Sequence, residues 1–128
     1  MVVVVLILGI VAAVAVPRMF NTADTAGENA SRQQLALLRT SIELYRSTNG
    51  VYPPGTDLSV ELQPFLRGPF PAPQLGTVRG MRGVLVDADT DSAVAAQAVD
   101  PPNGNGWVYK PVNGDIKLNL TTGTGSDW

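Results

Sequence analysis

Residues 1–16, MVVVVLILGIVAAVAV, form an uninterrupted apolar run at the start of the sequence. As an α-helix rising 1.5 Å per residue, the run spans roughly 24 Å, slightly less than the ~30 Å hydrocarbon core of a bilayer. It is open to three interpretations: a membrane or filament-core helix, a signal peptide cleaved after Ala13-Val14-Ala15, or a buried strand. A signal peptide needs a basic region ahead of its apolar part, and the alanine-rich second half favours helix over strand. We therefore predict a helix in an apolar environment.

A second helical pattern follows Pro17, which should kink any helix that continues through it. Residues 28–48 contain no glycine or proline, and apolar residues recur there at spacings of three and four. This spacing predicts an apolar stripe that packs on the sheet of the same chain or, alternatively, against another subunit. The stripe consists of Leu35, Leu38, Ile42 and Tyr45. Residues 21–27 (NTADTAG) are compatible with helix or with a short break, and Asn49-Gly50 is a typical helix stop.

The remaining residues predict a connector followed by a small sheet. The connector, residues 49–83, is rich in proline and contains a short helix over 58–66 with Thr56 or Asp57 as its cap. Within residues 84–120, the predicted strands are 84–86, 106–111 and 114–120. Asn113-Gly114 joins the last two strands and is a strong hairpin signal. Residues 92–99 are compatible with a strand or a short helix, and residues 121–128 form a loose tail that Trp128 could anchor.

These elements predict an α+β fold, in which one long N-terminal helix packs on a small antiparallel sheet. The helix has a hydrophobic half and an amphipathic half. Residues 1–20 would form a transmembrane or filament-core segment, and residues 21–128 would form a globular head.

The composition argues against several classes of function. The 128 residues carry a net charge of −2, and the nine lysines and arginines are scattered, which argues against binding to nucleic acid. The chain has neither cysteine nor histidine. Disulfides, thiolate catalysis and cysteine-ligated zinc are therefore excluded, and the commonest general base is missing. We expect that the protein is not an enzyme.

Alternating aspartates over residues 86–91 (VDADTD) are similar in spacing to part of a calcium loop. The segment lacks the glycine and the closing glutamate that an EF-hand requires. We therefore interpret Asp87, Asp89 and Asp91 as a solvated turn between two strands.

The run LILGIVAAVAVPRM, residues 6–19, resembles the N-terminal segment of type IV pilins and type II secretion pseudopilins. In that superfamily an apolar stretch with an internal glycine leads to a proline and a basic residue, here Gly9, Pro17 and Arg18. The continuation ASRQQLALLRTSIELYRSTNGVYPP resembles the major pseudopilins, including their G-x-Y-P signature at residues 50–53. Asp100-Pro101, followed by the glycines and aromatic residues of 104–109, is similar to the family's entry into a strand. The resemblance implies a pilin-like fold.

The resemblance implies a structural subunit of a type II secretion pseudopilus, processed by N-terminal methylation. Such a subunit resides in the bacterial inner membrane with a periplasmic head, and assembles as a homo-oligomeric helical filament. Its partners would be other pseudopilins, the assembly platform, the prepilin peptidase and secreted proteins, but no nucleic acid. Small residues would allow close helix packing in the filament core, and Pro17 would weaken the helix locally. These small residues are Gly9, Ala12, Ala13 and Ala15.

Three alternatives remain for the function. One is a type IV pilus subunit for adhesion, motility or DNA uptake, although the lack of cysteine disfavours the disulfide-bounded loop of many major pilins. Another is a single-pass, membrane-anchored binding module that does not polymerise. The third, a secreted hydrolase behind a signal peptide, is disfavoured by the lack of histidine and cysteine.

Two departures from the family pattern affect these expectations. Family members carry a basic leader and then Phe-Thr-Leu-Ile-Glu before the apolar run, so we expect Met1 to be an internal position. The family's calcium loop aligns with residues 117–121, where Lys117 replaces the first aspartate and would repel a cation. Ca²⁺ therefore remains a candidate cofactor only through nearby oxygen ligands. These candidate ligands are Thr122, Thr124 and Asp127.

Overall fold

The computed structural model describes residues 1–128 and is dominated by one helix. Helix α1 extends over Val2–Asn49, 48 residues, and is therefore about 72 Å long. It continues without interruption through Pro17 and residues 21–27, so the two predicted helical segments are a single helix. It ends where Gly50 adopts φ 78°, the left-handed conformation, and donates its N–H to the carbonyl of Arg46.

The head contains one further short helix and three strands. Helix α2, Leu58–Glu61, begins after Asp57, whose carboxylate accepts the N–H of Val60, and short 3₁₀ turns follow at Gln63–Phe65 and Gly76–Val78. The strands are β1 (Gly83–Val86), β2 (Asn105–Lys110) and β3 (Asp115–Leu118). No helix or strand forms over residues 92–99.

The predicted α+β class is confirmed, but the sheet is mixed and not purely antiparallel. Strand β2 lies in the centre, antiparallel to β3 and parallel to β1. The physical reason lies in the connections. A tight turn at residues 111–114 reverses the chain between β2 and β3. Residues 87–104 are long enough to return the chain to the end of the sheet at which β1 began, as a parallel pair requires.

The hydrophobic core lies between α1 and the face of the sheet that carries Trp107 and Tyr109. Leu35, Leu38 and Ile42 of α1 are buried there. Tyr45 is partly buried and meets the ring of Phe65 edge to face, with 6.2 Å between ring centroids. The sheet and connector contribute Leu58, Leu62, Phe70, Val78, Trp107, Tyr109, Ile116, Leu118 and Leu120.

The opposite face of the sheet is covered as well, which the alternating pattern of β2 did not predict. Val108 and Lys110 point away from α1 and are nevertheless fully buried. The segment 87–104 lies over them and contributes the buried Ala96. The aspartates, interpreted as a solvated turn between two strands, lie between β1 and β2 at the start of this long covering segment, with Asp89 and Asp91 exposed.

Candidate functional site

The first half of α1 projects from the head and contacts no other part of the chain. All residues from Met1 to Ala26 are exposed, including every apolar side chain of the N-terminal run. Burying a large aliphatic side chain stabilises by ~1.5–3 kcal/mol, so leaving a dozen of them in water is strongly unfavourable. This half of the helix is long and apolar enough to cross a membrane, with a mean hydropathy of 2.6 over its best 18-residue window. It requires an apolar environment outside the chain.

The four small residues of this segment are spread around the helix and do not share a single face. Gly9 and Ala13, one turn apart, line the same shallow depression with Val5 and Leu6. Ala12 and Ala15 do not line it: at 100° per residue, Ala15 lies about a third of a turn from Gly9, and Ala12 lies about a sixth of a turn from Gly9 on the side away from Ala13. A side chain at Gly9 would meet nothing within 4 Å, so the chain itself does not require glycine there. The depression is a place where a ridge of another helix can approach the backbone closely.

The threonines of the polar segment after Pro17 form hydrogen bonds within the helix. The hydroxyls of Thr22 and Thr25 donate to the carbonyls of Arg18 and Asn21, four residues earlier. Their polar groups are therefore satisfied by the helix itself and do not compete with it. Pro17 has no N–H, so the carbonyl of Ala13 lacks its usual helical donor.

The head attaches to α1 at Gly27 and Ser31, two positions that the sequence patterns did not single out. A Cβ at Gly27 would lie 2.5 Å from the carbonyl oxygen of Gln74, so only glycine allows the connector to lie this close. One turn later, the buried hydroxyl of Ser31 accepts the N–H of Gln74 at 2.9 Å. A glycine within a helix, followed four residues later by a serine facing the core stripe, was the signal in the sequence.

Three arginines spaced seven residues apart fasten the C-terminal tail and the connector to α1. The guanidinium groups of Arg32 and Arg46 stack over the rings of Trp128 and Tyr52, with 4.5 and 4.8 Å to the ring centroids. Arg39 donates to the carbonyl oxygen of Trp128. Trp128 thus holds the tail on α1, and the spacing of 32, 39 and 46 placed these arginines on one helix face.

The G-x-Y-P segment at residues 50–53 joins the end of α1 to the sheet. The ring of Tyr52 lies against Gly114 in the β2–β3 turn, where a Cβ would be only 2.3 Å from the ring. The hydroxyl of Tyr109 donates to the carbonyl of Pro53 at 2.7 Å. Burial, reinforced by the charge of Glu61, raises the pKa of Tyr109 far above its usual value of 10, so the hydroxyl stays protonated and can donate this bond in alkaline solution as well.

Lys110 supplies a positive charge beneath the aspartate-rich segment. Its buried ammonium donates to Oδ2 of Asp89 and to the carbonyl of Val94, both at 3.0 Å. The N–H of Asp91 and, next, the ammonium of Lys110 hold the pKa of Asp89 below its usual value. Each aspartate of the series, at 87, 89 and 91, also accepts the N–H of the residue two positions later. These carboxylates hold their own loop and Lys110.

The three candidate calcium ligands are not brought together. Thr122 and Thr124 are exposed and line a cleft of about 360 Å³ with Asp100. Asp127 is exposed and lies outside that cleft. No group of three acidic side chains lies close enough to hold a metal ion.

No match is found in a scan against protein-family models, among curated proteins or among solved structures.

Proposed function

We propose that this chain is a structural subunit that polymerises through the apolar half of α1 into a helical filament of the type II secretion pseudopilus class. The observation that carries the proposal is the exposed apolar half of a helix that is continuous with a folded head. A membrane can store such a helix before assembly, and a bundle of equivalent helices can bury it afterwards. The sequence resemblance to pseudopilins supports this choice of class.

Packing in the filament core would use the small residues of the apolar half. Between helices that are already in an apolar environment, association depends on close van der Waals contact and not on expulsion of water. The depression at Gly9 and Ala13 supports this proposal, because it offers a surface into which a neighbouring helix can insert a ridge.

The polar groups buried in the head support a structural role and not catalysis. Lys110 is bonded to Asp89 and Val94, and the hydroxyl of Tyr109 is bonded to Pro53. Both side chains hold covering loops on the sheet, and neither faces an open cleft, since both are fully buried.

The test exchanges Gly9 for Leu in the full chain, expressed from its native gene in its own host. Leucine keeps the helix apolar, so membrane insertion is retained, but it fills the depression. We expect filaments, scored by sedimentation of material released from opened cells and by electron microscopy, to be lost or strongly reduced. Val11→Leu is the matched control. It also introduces a leucine into the apolar half, but Val11 lies outside the depression. Normal filaments from Gly9→Leu and from Gly9→Glu would contradict the proposal.

The wild-type chain in this experiment, together with protein export and the neighbouring genes, separates the proposed filament from its rivals. A single-pass anchored module that does not polymerise would give membrane-bound protein and no sedimenting filament in the native chain. A type IV pilus subunit would give long filaments on the cell surface, whereas a pseudopilus is expected to support protein export. An adjacent assembly ATPase and prepilin peptidase in the genome would favour either filament over the anchored module.

A further inference from the structure

Four asparagine-glycine pairs occur in the chain, at residues 49–50, 103–104, 105–106 and 113–114. An asparagine that precedes glycine is the one whose side-chain amide is most easily lost, because glycine has no Cβ to hinder attack of its own nitrogen on that amide. The four pairs are alike in sequence, so any difference in their reactivity in the folded chain comes from the structure around them.

The reaction is an intramolecular loss of ammonia followed by hydrolysis. The backbone nitrogen of the glycine bonds to Cγ of the asparagine, the Cγ–Nδ2 bond breaks, and the proton of the glycine N–H leaves with the ammonia. Water then opens the resulting succinimide ring at either carbonyl, which gives aspartate or isoaspartate. Ring closure requires the planar peptide unit between the two residues to rotate toward the side chain. A hydrogen bond that fixes this peptide unit therefore slows the reaction.

Two of the four pairs are fixed through the N–H of their glycine. Gly50 donates to the carbonyl of Arg46 at 2.7 Å, and Gly114 donates to the carbonyl of Lys110 at 2.9 Å. The side-chain amides of both asparagines also donate to main-chain carbonyls. The attacking nitrogen and the amide that it would attack are thus both held in place.

The pair at 105–106 is fixed through its carbonyl. The side-chain amide of Asn119 donates to the carbonyl of Asn105 at 3.0 Å. Gly106 is buried, and it packs so closely that a Cβ there would collide with the carbonyl oxygen of Met81. This peptide unit cannot rotate without breaking a hydrogen bond and displacing a packed neighbour.

The pair at 103–104 lies in an exposed turn and is not fixed. Asn103 and Gly104 have φ angles of 49° and 82°, as in a type I′ turn, which the N–H of Asn105 closes by donating to the carbonyl of Pro102 at 2.9 Å. The carbonyl of Asn103 and the N–H of Gly104 form no hydrogen bond within the chain, and neither does the side chain of Asn103. This peptide unit can therefore rotate while the rest of the turn stays closed.

We propose that Asn103 is a site of spontaneous deamidation, at which the folded chain is converted to aspartate and isoaspartate while the other three pairs persist. The conversion adds a negative charge at the end of the segment that covers the sheet. Isoaspartate also lengthens the main chain within the turn by one carbon atom. The inference is independent of the proposed filament function, since it uses only contacts within the head.

The test follows all four pairs in the full chain in detergent micelles. The protein is incubated in mildly alkaline buffer, either folded or unfolded in guanidinium chloride, and tryptophan fluorescence checks which state is present. It is then digested with pepsin in acid, where ring closure is slow, and tandem mass spectrometry locates each exchange of amide nitrogen for oxygen. Asn103→Gly is the matched variant, because glycine tolerates the positive φ and has no amide to lose.

In the folded chain, we expect conversion at position 103 to be at least tenfold faster than at 49, 105 or 113, because each of those pairs must first break a hydrogen bond. Release of ammonia from folded Asn103→Gly should fall by a similar factor. In the unfolded chain, the four rates should become alike. A folded chain in which position 103 is converted no faster than another pair, or is not converted at all, would overturn the inference and leave the proposed function standing.

Discussion

Replacement of Asp89 by asparagine tests how the buried ammonium of Lys110 is balanced. The side chain of Lys110 is fully buried, and its ammonium bonds to Asp89 and to the carbonyl of Val94. Asparagine keeps an oxygen that accepts the N–H of Asp91, but it removes the negative charge. Lys110 is then left as a buried cation whose counter-charge has gone, which costs stability because water cannot replace the carboxylate.

The magnitude follows from the burial of Lys110 and not from Asp89, which is half-exposed. Leaving a buried polar or charged group without its partner costs on the order of 1–3 kcal/mol. In a head of about 100 residues, each kcal/mol lowers Tm by roughly 4–8 °C. Lys110→Met removes the charge together with its need for a partner, so it should cost less than Asp89→Asn, although it loses two hydrogen bonds.

The assay is thermal unfolding of the full chain in detergent micelles, followed by tryptophan fluorescence. Both tryptophans, Trp107 and Trp128, lie in the head, so the signal reports its unfolding. Asp91→Asn is the matched control, because that carboxylate accepts the N–H of Ala93 and has no lysine partner. We expect Asp91→Asn to resemble wild type and Asp89→Asn to have the lowest Tm. A larger loss for Lys110→Met than for Asp89→Asn would refute the reasoning.

The pH dependence of the same pair has a definite sign. Folding lowers the pKa of Asp89 below its usual value of 3.8, so its ionised form is favoured in the folded state. The stability that this carboxylate contributes is therefore fully present above pH 3.8 and is lost as the pH falls through the lowered value. The difference in Tm between wild type and Asp89→Asn should shrink over that acidic range. A difference that is constant with pH would contradict this assignment.

Three further predictions concern the helix and the core. Leu38→Ala should lower the free energy of unfolding, measured in urea, by about 2–5 kcal/mol. Leu37→Ala is the control, because Leu37 is exposed, and it should lower that free energy by well under 1 kcal/mol. Equal losses would contradict the described packing. Gly27→Ala should lower Tm, because the Cβ of alanine would meet the carbonyl of Gln74. This clash outweighs the higher helix propensity of alanine, which is about 1 kcal/mol. A raised Tm would contradict the close approach of Gln74. Burial raises the pKa of Tyr109, so wild-type stability should decline as the pH rises above 10, and a Tm series for Tyr109→Phe should lack that decline.

Much of the fold follows from local patterns in the sequence. The apolar run, the stripe at Leu35, Leu38 and Ile42 and the stop at Asn49-Gly50 are regular enough to define the long helix. Asn113-Gly114 defines the hairpin in the same way, because the turn of a β-hairpin depends on residues that are adjacent in sequence. These features require no knowledge of distant contacts.

The features that escaped prediction all depend on residues far apart in the chain. The burial of Lys110 could not be predicted, because nothing local shows that residues 87–104 cover it. The parallel pairing of β1 with β2 depends on the path of that same segment. Gly27 is unremarkable within a helix until Gln74 is placed beside it.

The apolar half of the candidate site was evident from hydropathy, but its division into faces was not. Four small residues between Gly9 and Ala15 looked equivalent in sequence. Helix geometry places Gly9 and Ala13 close together around the axis, Ala15 a third of a turn or more from both, and Ala12 midway between Gly9 and Ala15.

The unbroken passage of α1 through residues 17–26 sets an angular phase between the apolar half and the head. Adding one residue to that segment would turn the head by about 100° around the helix axis and move it by about 1.5 Å. Adding seven would displace it by about 10 Å but restore its orientation to within about 20°. The direction in which the head points relative to the apolar half is thus set by the number of residues between them, and a single-residue insertion there would reorient a head that remains folded.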